Sequence, residues 1–251
     1  MKGLLWPTLL TMTAALSACS GPLPPQPITL TYPYRIEGVA SVESYKRLVQ
    51  RVAPSYVRVL VYAESKDEGI AIVNGASGVI IDQRGYVVTP AHIANNLRFK
   101  AMVTTMDGRE RPASIVHIAP ERELALLKIN PYPGMEAARL ASSKDVRAGL
   151  RAVSVGTPNN KMGVVTVGAV ANPSRSLRIE YGEYGYDNAI ELRMEVEPGH
   201  SGGPVFDTEG RLIGMVASFG LGDTQRVPYI STMIAYAVPA AAIAAYLEDI
   251  R

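Results

Sequence analysis

The hydrophobic positions of this chain fall into two kinds of pattern. From residue 56 onward, apolar and β-branched residues come in short runs at 56–62, 70–73, 78–81, 86–88, 100–105, 113–118 and 124–129, with turn signals such as Asp82-Gln83-Arg84-Gly85 and Asp107-Gly108 between them. Runs of this length and type predict strands, and their punctuation predicts an antiparallel barrel. A second set at 151–155, 163–170, 189–196, 204–206, 212–218 and 233–237 follows a break at Pro131 and Pro133. Two barrels in one chain is the simplest architecture. Helical spacing is confined to two places. Tyr45, Leu48, Val49 and Val52 lie on one side of 41–52, which Pro54 stops, and the alanine-rich stretch 239–250 has no internal Gly or Pro. The expected fold class is all-β, a double antiparallel β-barrel with short N-terminal and C-terminal helices, barrel one at about 55–130 and barrel two at about 145–240.

The first residues carry a different pattern. Lys2 precedes an apolar run from Leu4 to Leu16, broken only by Pro7, Thr8, Thr11 and Thr13, and then comes Leu16-Ser17-Ala18-Cys19. This reads as a secretory signal with a small-residue cleavage site, too short to span a bilayer as a mature helix. Its last four residues resemble the lipobox of bacterial lipoproteins. That resemblance implies that 1–18 is removed and that Cys19, lipidated, becomes the first mature residue and a membrane attachment. Cys19 is the only cysteine, so no disulfide forms within the chain, and lipidation accounts for an odd cysteine in an exported protein. The alternative is an ordinary signal peptide in which Cys19 falls by chance. Ser20 rather than Asp after the cysteine implies, by the same resemblance, the outer membrane of a bacterial envelope, facing the periplasm. Residues 19–37 contain Pro22, Pro24, Pro25, Pro27 and Pro33 with almost no charge. They read as a polyproline-rich tether, with Tyr32 and Tyr34 expected to be exposed unless they dock on the domain or a neighbour. The folded domain is expected over 38–251.

Charge excludes one class of partner. Lys and Arg number 25 against 23 Asp and Glu, without a long basic run, so nucleic acid is not expected. At 251 residues the chain is long enough to bury substantial cores.

Candidate chemistry centres on Glu197-Pro198-Gly199-His200-Ser201-Gly202-Gly203-Pro204, a serine in a glycine-lined turn just before an apolar strand. Small neighbours let a substrate carbonyl approach Ser201, and the N–H groups of Gly199 and Ser201 are placed to meet a developing oxyanion. A serine hydroxyl needs a base within hydrogen-bond reach, usually histidine, and the chain has three. His200 adjoins the serine, and adjacent side chains diverge, so it is expected as a pocket or rim residue. His117 lies in the alternating run Ile115-Val116-His117-Ile118 and is expected on a strand, facing solvent or a hydrogen-bond partner. His92, just past the apolar run Val87-Val88, sits where a loop can aim it into a cleft. It is the expected base.

With these residues in hand, the chain resembles the chymotrypsin-fold serine proteases, specifically the catalytic domain of the bacterial HtrA (Deg) proteases. Ala76-Ser77-Gly78-Val79-Ile80-Ile81-Asp82-Gln83-Arg84-Gly85-Tyr86-Val87-Val88-Thr89-Pro90-Ala91-His92 is similar to that family's S-G-x-G-x-I-I-D-x-x-G-x-I-x-T-x-x-H segment. The stretch from Ala119 to Ile129 resembles its D-P-x-x-D-L-A-x-L-K-I, Val155-Gly156-Thr157-Pro158 its I-G-N-P, and Ala235-Tyr236-Ala237-Val238-Pro239 its closing G-F-A-I-P. The order histidine, acid, serine also matches, since unrelated folds carry the same triad in other orders. The resemblance implies an active site in a cleft between two barrels, polypeptide substrates and peptide-bond hydrolysis through an acyl-enzyme. It implies no cofactor and no metal, and no metal-ligand spacing is present.

Several positions depart from the family. Glu123 stands where the triad aspartate is expected, one methylene longer, so the strand or the imidazole has to shift for the two to meet. Glu121 is the next candidate acid, and Asp82 is more easily explained as a turn former. His200 stands where HtrA proteases usually carry Asn, and a neutral histidine there makes no salt bridge to a new N-terminus. No PDZ domain is expected, so regulation falls to the tether, the loops, a second copy or another envelope protein. The loop Glu180-Tyr181-Gly182-Glu183-Tyr184-Gly185-Tyr186-Asp187 is either such a regulator or a long exposed hairpin tip. The primary pocket is expected from Val216 to Gly220 and beyond, with Phe219 and Leu221 suggesting an apolar lining. The leading expectation is an envelope lipoprotein serine endopeptidase acting on exported or misfolded proteins through His92, Glu123 and Ser201. Its competitors are a catalytically degenerate protease-fold scaffold, which Glu123 keeps open, and a hydrolase of esters or other acyl donors.

Overall fold

The computed structural model describes residues 24–32, 42–65, 69–174, 178–221 and 233–250. Helix α1 (Val42–Val52) leads into six antiparallel strands, β1 (Tyr56–Ser65), β2 (Gly69–Asp82), β3 (Tyr86–Thr89), β4 (Lys100–Thr104), β5 (Glu110–Ala119) and β6 (Leu124–Ile129). They close in the order β1-β2-β3-β6-β5-β4. The second half contains β7 (Arg139–Leu140), β8 (Arg151–Gly156), β9 (Val164–Asn172), β10 (Ile179–Tyr181), β11 (Tyr184–Tyr186), β12 (Ile190–Arg193), β13 (Pro204–Asp207), β14 (Arg211–Leu221), β15 (Met233–Pro239) and helix α2 (Ala240–Asp249). Here β13-β8-β9-β12-β15-β14 forms the second ring, closed by pairing of β13 with β14, while β7 adds to β14 in parallel. The double antiparallel barrel expected from the spacing is the observed fold. The two runs 70–73 and 78–81 are parts of one long β2, and at the loop singled out, 180–187, β10 and β11 form a separate two-stranded hairpin outside both barrels.

Three apolar cores follow from the period-two alternation of the strands. Val57, Val59 and Val61 of β1, Val87 of β3 and Ala125 and Leu127 of β6 fill the first barrel. Leu192 of β12, Val205 of β13, Ile213 of β14 and Ala235 and Ala237 of β15 fill the second. The intervening residues Tyr56, Val88, Leu124, Leu126, Val153, Phe206, Met215 and Val238 point the other way, into one shared core to which α1 adds Leu48, Val49 and Val52 and α2 adds Ile243 and Tyr246. Strand β6 is apolar without alternation because one face lines a barrel and the other lines this seam.

The proline-rich segment departs from expectation where it is described. Over 24–32 it lies on the domain instead of extending free. Ile28 donates its N–H to the Met106 carbonyl at 2.9 Å, Thr31 donates to Gly163 at 2.9 Å, and Val165 donates to Thr31 at 2.7 Å. It thus bridges a loop of the first barrel and the start of β9 in the second, and Tyr32 packs against the shared core instead of standing exposed. Residues 1–23, with the expected signal segment and Cys19, and Tyr34 lie outside the described residues. Among the described residues no helix is long and apolar enough to cross a membrane.

A polar knot pins the barrels at the seam. The fully buried Tyr56 hydroxyl shares a hydrogen bond of 2.5 Å with Thr157 Oγ1 and accepts the Gly163 N–H at 3.4 Å; the Thr157 N–H in turn donates to Ser77 Oγ at 3.0 Å. Burial pushes the phenol up to about 12. Tyr56→Phe is expected to cost about 1–2 kcal/mol of stability, the usual penalty for stranding buried polar partners. Urea unfolding followed by circular dichroism measures it, and an unchanged midpoint would show that the knot contributes nothing.

Candidate active site

The site is assembled from three chain reversals. The first follows β3, whose Val87 and Val88 are wholly buried on opposite faces, so the chain leaves the barrel at Thr89 under constraint. A tight turn comes next, with Ile93 and Ala94 donating to the Pro90 carbonyl at 3.1 and 3.4 Å. Asn74 Nδ2 holds the carbonyls of His92 and Ile93, each at 3.3 Å. This leaves the His92 imidazole about a quarter exposed, at 26%.

The second reversal is a 3-10 turn, Pro120–Arg122, capped by Glu123 in the left-handed region at φ 54 and ψ 36. A non-glycine residue there costs on the order of 1–3 kcal/mol and persists only where the surroundings hold it. Glu123 is fully buried, and its Oε1 bonds His92 Nδ1. The extra methylene therefore does not keep the acid from the imidazole. Glu121, the other candidate acid, sends its side chain to solvent beside Arg122. Asp82 takes the turn role expected of it, bonding the Arg84 N–H and guanidinium.

The third reversal carries the serine. The Ser201 carbonyl accepts the Ser77 N–H of β2 at 2.8 Å, and Gly202 donates to Val216 at 2.7 Å. Gly202 has φ 85, and a Cβ on it would overlap the Ser77 carbonyl oxygen. Gly199 has φ 100, and a Cβ there would overlap the Thr157 carbonyl. Both glycines are thus required by conformation and by close approach together. Carbonyl partners fix which way the peptides face. Pro198 accepts from the Asn159 N–H at 3.2 Å, Gly199 accepts from Ser77 Oγ at 2.9 Å, and His200 accepts from the Gly203 N–H at 2.8 Å. Because a trans peptide sets N–H opposite C=O, the N–H groups of Gly199 and Ser201 are turned away from these partners, and neither has an acceptor among the described residues.

The structure brings His92 and Glu123 into contact and seats the Ser201 turn on β2 beside Pro90, two residues before His92. It does not form a hydrogen bond between Ser201 and His92. Such bonds commonly lengthen without substrate and tighten in the complex. His117 bonds the Tyr246 hydroxyl of α2 at 2.9 Å, away from the serine, as its strand position suggested. His200 is not a rim residue: it is buried, with Nδ1 accepting the Glu197 N–H at 3.0 Å and its ring against Gly156. Phe219 is exposed on β14, and residues 222–232, where the expected pocket continues, lie outside the described residues. Among the described residues no group of three or more His, Cys, Asp or Glu is placed to hold a metal ion.

Sequence reading missed two contributors and the target of a third. Ser77 Oγ anchors the Gly199 carbonyl, and Asn159 clamps the same turn through its Nδ2 to Glu197 Oε2 at 2.8 Å. The third is the β10–β11 hairpin of the 180–187 loop, exposed at its tip, Gly182-Glu183, but anchored so that it sets Tyr181 and Tyr184 edge-on to the His92 ring at 5.9 and 6.1 Å. Arg178 fastens it by donating to the Glu121 carbonyl at 2.8 Å while pairing with Glu180 and Asp187. The tyrosine-glycine composition signalled a contact surface, but its target is formed only by folding.

Similarity to known proteins agrees with this arrangement. A family model described as a trypsin-like peptidase domain matches residues 76–215, more than half of the chain. The chain belongs to the trypsin-like peptidases. Serine protease HTRA4 of Mus musculus is 31% identical over 207 residues, covering 80% of this chain and 40% of the mouse protein. Two proteins named probable periplasmic serine endoprotease DegP-like are 32% identical over 165 residues in Bartonella henselae and 36% identical over 140 residues in Brucella suis. These cover 66% and 55% of this chain, and 31% and 26% of the relatives. The family is thus HtrA-like within the chymotrypsin fold, and the chain spans well under half the length of these curated relatives.

His200 gives the site a measurable acid sensitivity. Burial holds its imidazole below the ordinary histidine value of 6.5, outweighing the Glu197 carbonyl, 3.3 Å from Nδ1 and an acceptor for a protonated ring, and the Glu197 charge, which act the other way. The unfolded chain then binds a proton first as pH falls below about 6.5, so stability is full above that value and is lost on the acid side. The melting temperature of the wild type should therefore drop more steeply below about pH 6.5 than that of His200→Asn. Parallel slopes for the two proteins would show that His200 carries no such burden.

Proposed function

We propose that this protein is a serine endopeptidase in which Ser201 is the nucleophile, His92 the general base, Glu123 the orienting acid and the N–H groups of Gly199 and Ser201 the oxyanion hole. The observation that carries the reading is the contact between the buried Glu123 carboxylate and His92 Nδ1. A carboxylate on Nδ1 keeps the proton there and leaves Nε2 as the basic nitrogen, and it stabilises the imidazolium that forms during the reaction. The Ser201 hydroxyl loses its proton to Nε2 as Oγ adds to the scissile carbonyl. The oxyanion is received by the two turned N–H groups. Collapse passes the proton from His92 to the leaving amine and leaves an acyl-Ser201 ester, which water hydrolyses with His92 again as base. The Glu123–His92 contact favours this reading over a degenerate scaffold, since that use of the fold has no need of a buried carboxylate on an imidazole.

Labelling by a fluorophosphonate probe and cleavage of casein test the assignment. Ser201→Ala should abolish both, and Glu123→Gln should lower kcat by about 10⁴ with KM little changed, the cost of a lost orienting carboxylate. Full activity in Glu123→Gln would remove Glu123 from the mechanism.

Polypeptides of the bacterial envelope are the proposed substrates, with the enzyme lipid-anchored through Cys19 and facing the periplasm. The signal-like segment ending in Leu16-Ser17-Ala18-Cys19 supports this, as does the periplasmic assignment in the names of the bacterial relatives. In cells fed labelled palmitate, the wild type should take up label and sediment with membranes, whereas Cys19→Ala should do neither. A Cys19→Ala protein that is still labelled would overturn the anchor.

A further inference from the structure

Among the described residues, two buried polar atoms beside the His92–Glu123 contact have no hydrogen-bond partner. One is Glu123 Oε2, the carboxylate oxygen that does not touch His92; the other is the hydroxyl of Tyr181, on the hairpin that covers His92. Leaving a carboxylate oxygen dry and unpaired is costly, and so is leaving a phenol donor without an acceptor. Each supplies what the other lacks. They stop short of full hydrogen-bond geometry in this resting arrangement, yet burial, and after it the Glu123 charge, holds the phenol firmly protonated, so that it stands as a donor. Their placement is not incidental, because the His92 ring touches both residues, Glu123 through Nδ1 and Tyr181 edge-on at 5.9 Å.

The hairpin is built to hold Tyr181 there. Arg178 ties it to the 3-10 turn that ends at Glu123, and Gly185 leaves room for that guanidinium, since a Cβ would lie 2.8 Å from Arg178 Nη2. Tyr181 pairs with Tyr184 across a two-residue turn, which fixes its register. The groups facing Glu123 are therefore His92 on one side and Tyr181 and Tyr184 on the other, with Tyr186 beside Tyr181 and Arg178 engaged by the Glu121 carbonyl, Glu180 and Asp187.

We propose that Tyr181 is a positioning residue for the reaction, its hydroxyl donating to Glu123 Oε2 and so fixing the longer acid on His92. The inference rests on the protease reading above but reaches a residue outside the triad. A hydroxyl on Oε2 stabilises the carboxylate most when His92 is neutral, because an imidazolium already compensates the charge. Removing the hydroxyl therefore makes the His92–Glu123 pair take up its proton at higher pH, whichever of the two holds it. It also frees the carboxylate to rotate, which lowers kcat and leaves substrate binding alone.

Tyr181→Phe removes only the oxygen and keeps the ring against His92. The acid limb of its kcat/KM profile should move to higher pH by about half a unit to one unit, and kcat should fall about tenfold with KM unchanged. Site-specific 3-fluorotyrosine at 181, a stronger donor, should move the limb the other way. Tyr181→Leu tests the ring: if it impairs kcat while Tyr181→Phe matches wild type, Tyr181 is packing only and the proposal fails. An independent reading uses the Ser201→Ala protein with 15N-labelled histidine, in which the His92 titration midpoint is followed by NMR with and without Tyr181→Phe. A shifted midpoint, together with a wild-type protein whose Ser201 takes no fluorophosphonate probe, would uphold the Tyr181 contact and sink the protease reading. An unshifted midpoint in folded Ser201→Ala protein, with the wild-type Ser201 reactive to the probe, would sink the Tyr181 proposal alone.

Discussion

The rest of the site depends on one main-chain contact, the hydrogen bond from the Ser77 N–H to the Ser201 carbonyl. It joins a strand of the first barrel to the serine turn between β12 and β13 of the second. Gly202 makes the approach possible, because any side chain there meets the Ser77 carbonyl. Ser77 contributes again through its hydroxyl, which receives the Thr157 N–H and donates to the Gly199 carbonyl. One residue thus couples the serine turn, the barrel seam and the carbonyl of Gly199, while Asn159 holds the Pro198 carbonyl of the peptide that presents the Gly199 N–H. The surrounding core is apolar and closely packed, so these few directional bonds set geometry while burial supplies most of the cohesion.

A glutamate in the acid position reaches the imidazole from a left-handed backbone. Glu123 caps a short 3-10 turn in a left-handed conformation, which directs its longer side chain inward to Nδ1. The conformation is strained for a side-chain-bearing residue, and the hairpin pinned by Arg178 covers it from outside. The proline-rich strap has a comparable role at larger scale, since it spans both barrels at Met106 and Gly163.

Much of the architecture was legible because strands buried on one or two faces leave a period-two record. Runs such as Leu124–Leu127 and Val87–Val88 gave the strands, and the serine turn announced itself by its glycines. The contact of Glu123 with His92 was less legible, since thirty-one positions separate them and nothing local says that a longer acid will find the ring. The short β10–β11 hairpin was read as a loop because glycine and tyrosine alternate there without an aliphatic run, so its apolar face is visible only once His92 lies beneath it.

What the sequence alone determined is the chemical inventory and its order: a serine between glycines, a histidine after an apolar strand, an acid between them, and a periodicity that commits the chain to two barrels. Those features are local and depend on side-chain type and spacing. Tertiary structure decided which carboxylate meets His92, which carbonyls turn the Gly199 and Ser201 N–H groups away from the protein, that His200 is buried, and that Tyr181 stands over Glu123. Each of those is a distance between residues remote in sequence, fixed only when closing barrels bring their loops to one seam.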